Sequence, residues 1–145
     1  MFLGQHEHTL DAKGRLVMPR EFRDDLLNGC VVTKRQEHCL AVYTPEAWDQ
    51  EYQRVNAMPT TNRKARMYRR SLFAGANKLG LDKQGRISIP ENLRKWAGMD
   101  REVTVVGSGD VIELWPTDVW NAEEEQADDF FSGVEETFAF GGEDI

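Results

Sequence analysis

The sequence predicts a mixed, mainly β fold in which two homologous halves interleave about a pseudo-two-fold axis into one closed, barrel-like sheet, with short helices and a linker helix. Three observations carry this expectation. The stretch "LDAKGRLVMPREFR" (10–23) returns as "LDKQGRISIPENLR" (81–94). In the first copy Leu16 and Met18 alternate with Arg15 and Val17, the period-two signature of a half-buried strand. Each half offers only about four short strands and too little apolar surface to be stable alone, whereas a shared closed sheet buries both and removes exposed edges.

The repeat extends beyond the two quoted stretches. At an offset of 71, Phe2, Gly4, Leu10, Asp11, Gly14, Arg15, Pro19 and Arg23 match Phe73, Gly75, Leu81, Asp82, Gly85, Arg86, Pro90 and Arg94. "VVT" (31–33) recurs within "EVTVV" (102–106), and at an offset of 72 Leu40, Val42, Tyr43 and Trp48 match Ile112, Leu114, Trp115 and Trp120. The one-residue slip falls between Thr33 and Leu40, where a loop is expected. The resulting division is a first repeat at 1–55, a basic linker helix at 56–71, a second repeat at 72–121 and an acidic tail at 122–145.

The elements of the first half follow in order. After the strand at Arg15–Met18, Pro19 opens a short helix, "PREFRDDLLNG", with Phe22 and Leu26 on one face and Gly29 as its stop. "CVVTK" and "CLAVY" are two strands separated by the polar turn "RQEH". Thr44-Pro45 caps a last helix that carries Trp48 and Tyr52 at i, i+4. The second half repeats this order: "RISIP", a helix to Gly98, "EVTVVG", a turn at "SGD", "VIELW", and a helix from Thr117. Between the halves, Met58-Pro59 breaks one helix and Thr60 or Thr61 caps the next. At 100° per residue, Arg63, Arg66 and Arg70 share one face of that helix while Met67 packs inward.

Charge is distributed unevenly. The chain has 145 residues and a formal net charge of −7, with 25 acidic and 18 basic side chains. Nine of the acidic residues lie after Asn121, where there are no basic ones, which leaves residues 1–120 with 18 basic against 16 acidic. A tail of this composition is expected to be solvated and partly disordered. No apolar run approaches the roughly 20 residues of a membrane helix. "MFLGQHEHTL" lacks the pattern of a secretory signal. Cys30 and Cys39 are too few for a disulfide framework. A cytoplasmic protein is expected.

The doubled turn is the candidate site. In "DAKGR" and "DKQGR" the aspartate can accept hydrogen bonds from backbone two residues on, and the glycine supplies positive φ. The following arginine is then fixed at the rim, opposite the core face of Leu16 or Ile87. Its five donors suit a phosphate or the O6/N7 edge of guanine. The alternative is that each arginine only pairs with its local carboxylate. Spacing alone leaves both open.

"MFLG", "LDAKGRLVMPREFR", "LAVYTPEAW", "LDKQGRISIPENLR", "VTVVG" and "IELW" together resemble the MraZ family over residues 1–121. The resemblance implies tandem halves of the AbrB/SpoVT type in a swapped-hairpin, double-psi-like barrel. It also implies a bacterial, nucleoid-associated transcription factor, chiefly a repressor of the division and cell-wall gene cluster containing its own gene. Its partners would be double-stranded DNA bearing promoter direct repeats and further copies of itself in a ring, with no membrane and no small-molecule substrate. The DNA-binding residues it implies are Lys13, Gly14 and Arg15 in the first motif, with Lys83, Gly85 and Arg86 in the second. Lys83-Gln84 replaces Ala12-Lys13, so the lysine shifts by one position and Arg15 with Lys13 is the stronger expectation.

Three rivals compete with this reading. Asp11 and Asp82 form a repeat-related carboxylate pair, but turn formation explains both without catalysis. His6, His8, His38 and Cys39 lack the spacing of a metal site, and Rossmann and P-loop motifs are absent, so no cofactor is expected. Trp48, Trp96, Trp115 and Trp120 could instead line a groove for a partner in a protein-interaction module without DNA specificity.

Overall fold

The computed structural model describes residues 1–137; the end of the acidic tail, 138–145, lies outside the described residues. The first half runs β1 (Gln5–Thr9), β2 (Arg15–Val17), α1 (Arg20–Arg23) with a 3-10 turn at Asp24–Leu26, β3 (Cys30–Arg35), β4 (Cys39–Tyr43) and α2 (Pro45–Asn56). After α3 (Arg63–Ala74), the second half runs β5 (Asn77–Leu79), β6 (Arg86–Ser88), α4 (Glu91–Trp96), β7 (Glu102–Ser108), β8 (Val111–Pro116) and α5 (Thr117–Thr137). Capping follows the sequence at α2, where Thr44 Oγ1 accepts from the Ala47 N–H at 3.1 Å. At α3 the cap is Asn62, not Thr60 or Thr61; its Oδ1 accepts from the Ala65 N–H at 3.1 Å.

Six strands form one antiparallel sheet in the order β1-β7-β8-β4-β3-β5, and β2 and β6 form a separate two-stranded ribbon. Each half thus lends a strand to the other: β1 lies beside β7, and β5 lies beside β3. Two pairings fall on the pseudo-two-fold axis. In the ribbon the repeat-matched Leu16 and Ile87 face each other, and in the sheet Leu40 faces Leu114 while Val42 faces Ile112.

The expected closed barrel is not what forms. The sheet is open, ending at β1 and β5, and the ribbon touches its ladder through a single bridge, Leu10 to Leu16. Strands of three residues are long enough to pair with each other but too short to carry hydrogen bonding from one sheet edge back to the other. The ribbon instead lies over the sheet as a lid. Leu16, Met18, Ile87 and Ile89 from the ribbon segments meet Val32, Leu40, Val42, Val103, Val105, Ile112 and Leu114 from the sheet, with Phe22, Leu26 and Leu93 sealing the sides.

The other face of the sheet is covered by helices. Trp48 of α2 packs on Val31, Ala41, Tyr43 and Val111, and Trp120 of α5 packs on Cys39, Val106 and Trp115. The threonines matched in the repeat, Thr33 and Thr104, are buried but satisfied: Thr33 Oγ1 donates to Leu72 O at 2.7 Å, and Thr104 Oγ1 lies 2.9 Å from Thr117 Oγ1. Helix α3 is seated through Ala65 and Leu72, whereas Met67 is 52% exposed and does not pack inward. Two arginines of α3 tie it to preceding backbone: Arg66 donates to Thr60 O at 2.7 Å and Arg69 to Asn56 O at 3.1 Å. Helix α5 continues through Asn121 to Thr137 without interruption, so the start assigned to the acidic tail marks no break in secondary structure. Trp120 Nε1 holds its first turns by donating to Gln5 Oε1 of β1 at 2.7 Å.

Leu16 is fully buried on the axis, so Leu16→Ala leaves a cavity at the one place where both halves and the sheet meet. The expected loss in urea unfolding is about 2–5 kcal/mol. Met67→Ala, on an exposed face, is expected to change stability by less than about 0.5 kcal/mol.

Candidate nucleic-acid interface

The turns before β2 and β6 are built identically. Asp11 N–H donates to Arg15 O at 3.0 Å and Gly14 N–H to Asp11 O at 3.0 Å; Asp82 N–H donates to Arg86 O at 2.9 Å and Gly85 N–H to Asp82 O at 3.0 Å. Each aspartate Oδ1 accepts two backbone N–H groups at 2.9 Å, from Lys13 and Arg15 in one turn and from Gln84 and Arg86 in the other. Gly14 and Gly85 have φ of 77° and 75°, a conformation that a side chain would strain.

The remaining oxygen of each aspartate takes the arginine. Arg15 Nε donates to Asp11 Oδ2 at 2.6 Å, and Arg86 Nε to Asp82 Oδ2 at 2.7 Å. The local pairing offered as the alternative therefore exists in both turns. It uses only Nε. Among the described residues the Nη atoms of Arg15 have no hydrogen-bond partner, and Arg86 Nη1 is 3.9 Å from Asp11 Oδ2. Because Leu16 and Ile87 point into the core, Arg15 and Arg86 both occupy the outer face of the ribbon, on opposite strands. Asp11 approaches both guanidinium groups and offsets their mutual repulsion.

The turns also grip each other. Met18 N–H donates to Gly85 O and Ile89 N–H donates to Gly14 O, both at 2.9 Å, so each glycine carbonyl is held by the other half. The arginine that ends α1, Arg23, lies over Gly85 and donates through Nε to Met18 O at 2.9 Å. Its repeat partner Arg94 lies over Gly14 and donates to Ile89 O at 3.0 Å. A Cβ on Gly14 would stand 2.7 Å from Arg94 Cζ, and one on Gly85 would stand 2.5 Å from Arg23 Nε. The positive φ is what requires glycine at both positions, and a side chain there would also push the arginine aside.

Of the sequence-derived residues, the structure brings Gly14, Arg15, Gly85 and Arg86 together on the ribbon. Lys13 and Lys83 are exposed on the two turns but not equivalently: Lys13 stands where the second turn has Gln84, and Lys83 where the first has Ala12. Arg23 and Arg94 were absent from the expected site. Their signal was present in the sequence, since both are identities within the doubled stretch.

The other candidate chemistry resolves into structure. His6 Nε2 is 3.1 Å from Glu21, and His38 stacks on Trp96 with ring centroids 4.3 Å apart. Burial lowers the His8 pKa, aided by His6 and Arg23. Cys39 is buried with its thiol pushed up to about 12, and Cys30 to about 11, both by desolvation, so they act as small apolar residues.

A tandem-duplicated mixed α/β chain that exchanges strands between its halves and presents a two-fold pair of arginine turns is the class these features define. The family model for the MraZ protein, described as antitoxin-like, matches residues 1–71 and again residues 72–141. The chain belongs to the MraZ family, carrying two tandem copies of its domain.

The Asp11 carboxyl is held down to about 2, first by the Arg15 N–H and further by the Arg15 guanidinium and the Lys13 N–H; Asp82 is lowered by the corresponding groups of Arg86 and Gln84. A folded value below the unfolded one means that these turns contribute fully above the ordinary carboxylate range near pH ~4, and that the contribution is lost as pH falls toward 2. A carboxyl ¹³C titration of Asp11 is expected to give a midpoint of about 2, and a midpoint near ~4 would contradict the geometry.

Proposed function

We propose that this protein is a sequence-specific DNA-binding transcriptional regulator that uses the outer face of the β2–β6 ribbon as its reading surface. The observation that carries the proposal is the pairing of Arg15 and Arg86 on that face, each fixed at Nε by its own aspartate. A guanidinium already oriented loses less entropy on binding, and its terminal pair of donors matches guanine O6/N7 or a phosphate. Family membership agrees with a regulatory role.

In this reading the swapped-hairpin description applies to the strands exchanged between repeats 1–55 and 72–121, with 56–71 as linker and 122–145 as tail. The regulated genes are a division and cell-wall cluster that includes its own gene, repressed from the promoter in the cytoplasm, on the nucleoid. Copies assembled in a ring address tandem promoter repeats, and linkage converts weak contacts into useful affinity. Repeats about 10–10.5 base pairs apart would place successive sites on one side of the duplex. Arg15, supported by Lys13, contributes more than Arg86 with Lys83, because Lys13 lies inside the turn one residue from Gly14.

Arg15→Ala is expected to cost about 1–3 kcal/mol on the native promoter duplex and little on a scrambled one, measured by gel shift in moderate salt. A folded Arg15→Ala protein with undiminished preference for the native duplex would exclude this surface.

A further inference from the structure

We infer that the acidic end of α5 docks, through Phe130 and Phe131, on the basic outer face of α3 and the groove beside it in a second copy of this chain. The inference rests on the proposed assembly of copies, not on the reading of DNA, and gives the acidic stretch a role. Helix α5 spans Thr117–Thr137, about 31 Å. Its first turns are seated by Trp120 on Cys39, Val106 and Trp115. From Glu125 to Gly133 every residue is exposed, with Phe130 at 48% and Phe131 at 77%. Ala127 and Phe131 continue, beyond the sheet, the helix face that seats Trp120. No basic residue follows Arg101, and Glu124 with Asp128 and Glu125 with Asp129 are like-charge pairs at i, i+4 that disfavour a helix in water. Such a helix fits a surface that is apolar at its centre and basic at its rim.

Helix α3 offers that surface. Arg63–Ala74 carries five basic side chains and no acidic one. Ala65 and Leu72 face the body, which turns Arg63, Lys64, Met67 and Arg70 outward. The exposed Met67 thus lies among cations one turn before and after it. Arg66 and Arg69 are tied to Thr60 O and Asn56 O, but among the described residues the side chains of Arg63, Lys64 and Arg70 have no hydrogen bond or ion pair. Beside this face, Tyr68 and Leu72 of α3 and Trp96 line a groove of about 190 Å³ edged by Lys34 and Arg35. A cavity of about 150 Å³ admits benzene, so the groove has room for one phenyl ring.

The contact joins separate copies. Within one chain α5 packs on β7 and β8 and α3 on β3, and both phenylalanines stay exposed. Two α5 helices laid together would set acid against acid. Because α5 and α3 are different surfaces, each copy gives one and receives the other, and the contact propagates head to tail.

The test is sedimentation velocity of the full chain over a concentration series. Phe130→Ser with Phe131→Ser, at exposed positions, is expected to raise the midpoint of assembly at least about tenfold with an unchanged circular dichroism spectrum. Charge reversal is more specific. A chain with Lys64→Glu and Arg70→Glu, and another with Asp128→Lys and Asp129→Lys, are each expected to stay dissociated alone and to assemble when mixed, because each finds the opposite sign only on the other. A folded serine variant that assembles like the wild type, or reversed chains whose mixture stays dissociated, would overturn the contact and leave assembly itself standing. A wild-type protein that stays monomeric throughout would overturn the assembly reading and the contact with it. A Lys64→Glu, Arg70→Glu chain that assembles normally but loses affinity for a scrambled duplex would make α3 a nucleic-acid surface and refute the inference. Should a variant not fold, carbodiimide cross-linking of mixed light and heavy-nitrogen wild-type chains decides. Lys64 is expected to join Asp128 or Asp129 between copies, and absence of that link from the assembled fraction would refute the contact.

Discussion

Two hydrogen bonds between halves, Met18 N–H to Gly85 O and Ile89 N–H to Gly14 O, are the constraint on which the rest of this molecule depends. They join the end of each ribbon strand to the turn that begins the other. Once they form, Leu16 must face Ile87 across the axis, the four ribbon apolar residues must face the sheet, and Arg15 and Arg86 must face outward. Neither turn can be displaced without releasing a backbone donor in the opposite half, and a buried donor without a partner costs about 1–3 kcal/mol. The same carbonyls, N–H groups and glycines therefore serve the core and the candidate interface together.

Concentrating four guanidinium groups on a small ribbon is opposed by their mutual repulsion. The structure meets this locally. Each aspartate is saturated by two backbone N–H groups and one guanidinium, so it stays ionised over any physiological range, and Asp11 also approaches Arg86 at 3.9 Å. The pair Arg23 and Arg94 is held by backbone carbonyls, Met18 O and Ile89 O, rather than by carboxylates. The chain's overall negative charge says nothing of this face, because much of the acidity is carried beyond Asn121.

Much of the fold was legible because duplication writes it twice. The offset of 71 located both turns, the positive-φ glycines and the matching strands, and the apolar-alternating Leu16 and Ile87 proved to be the axial pair. What was not legible is instructive. Strand β5, "NKL", is three residues long and half exposed, with no periodicity to detect. Closure of the sheet cannot be read from patterning, because an apolar face looks the same whether it meets the far side of a barrel or a ribbon lid. Helical phase alone points Met67 inward, but α3 is seated by Ala65 and Leu72 and leaves Met67 exposed. The site was half legible: the turns follow from Asp and Gly chemistry, whereas the doubled stretch marks Arg23 and Arg94 as identities without showing that they pack on Gly85 and Gly14 of the opposite halves.

The central claim is that the two arginine turns are one cooperative unit shared between the halves. Native-state hydrogen exchange of the Met18 and Ile89 amides in a Gly14→Ala protein tests it most directly. The alanine Cβ displaces Arg94 and strains the first turn, leaving Gly85 and Arg23 untouched. Both amides are expected to lose protection together and by the same factor. Loss confined to Ile89, with Met18 as protected as in the wild-type protein, would show that the turns stand independently and contradict this account.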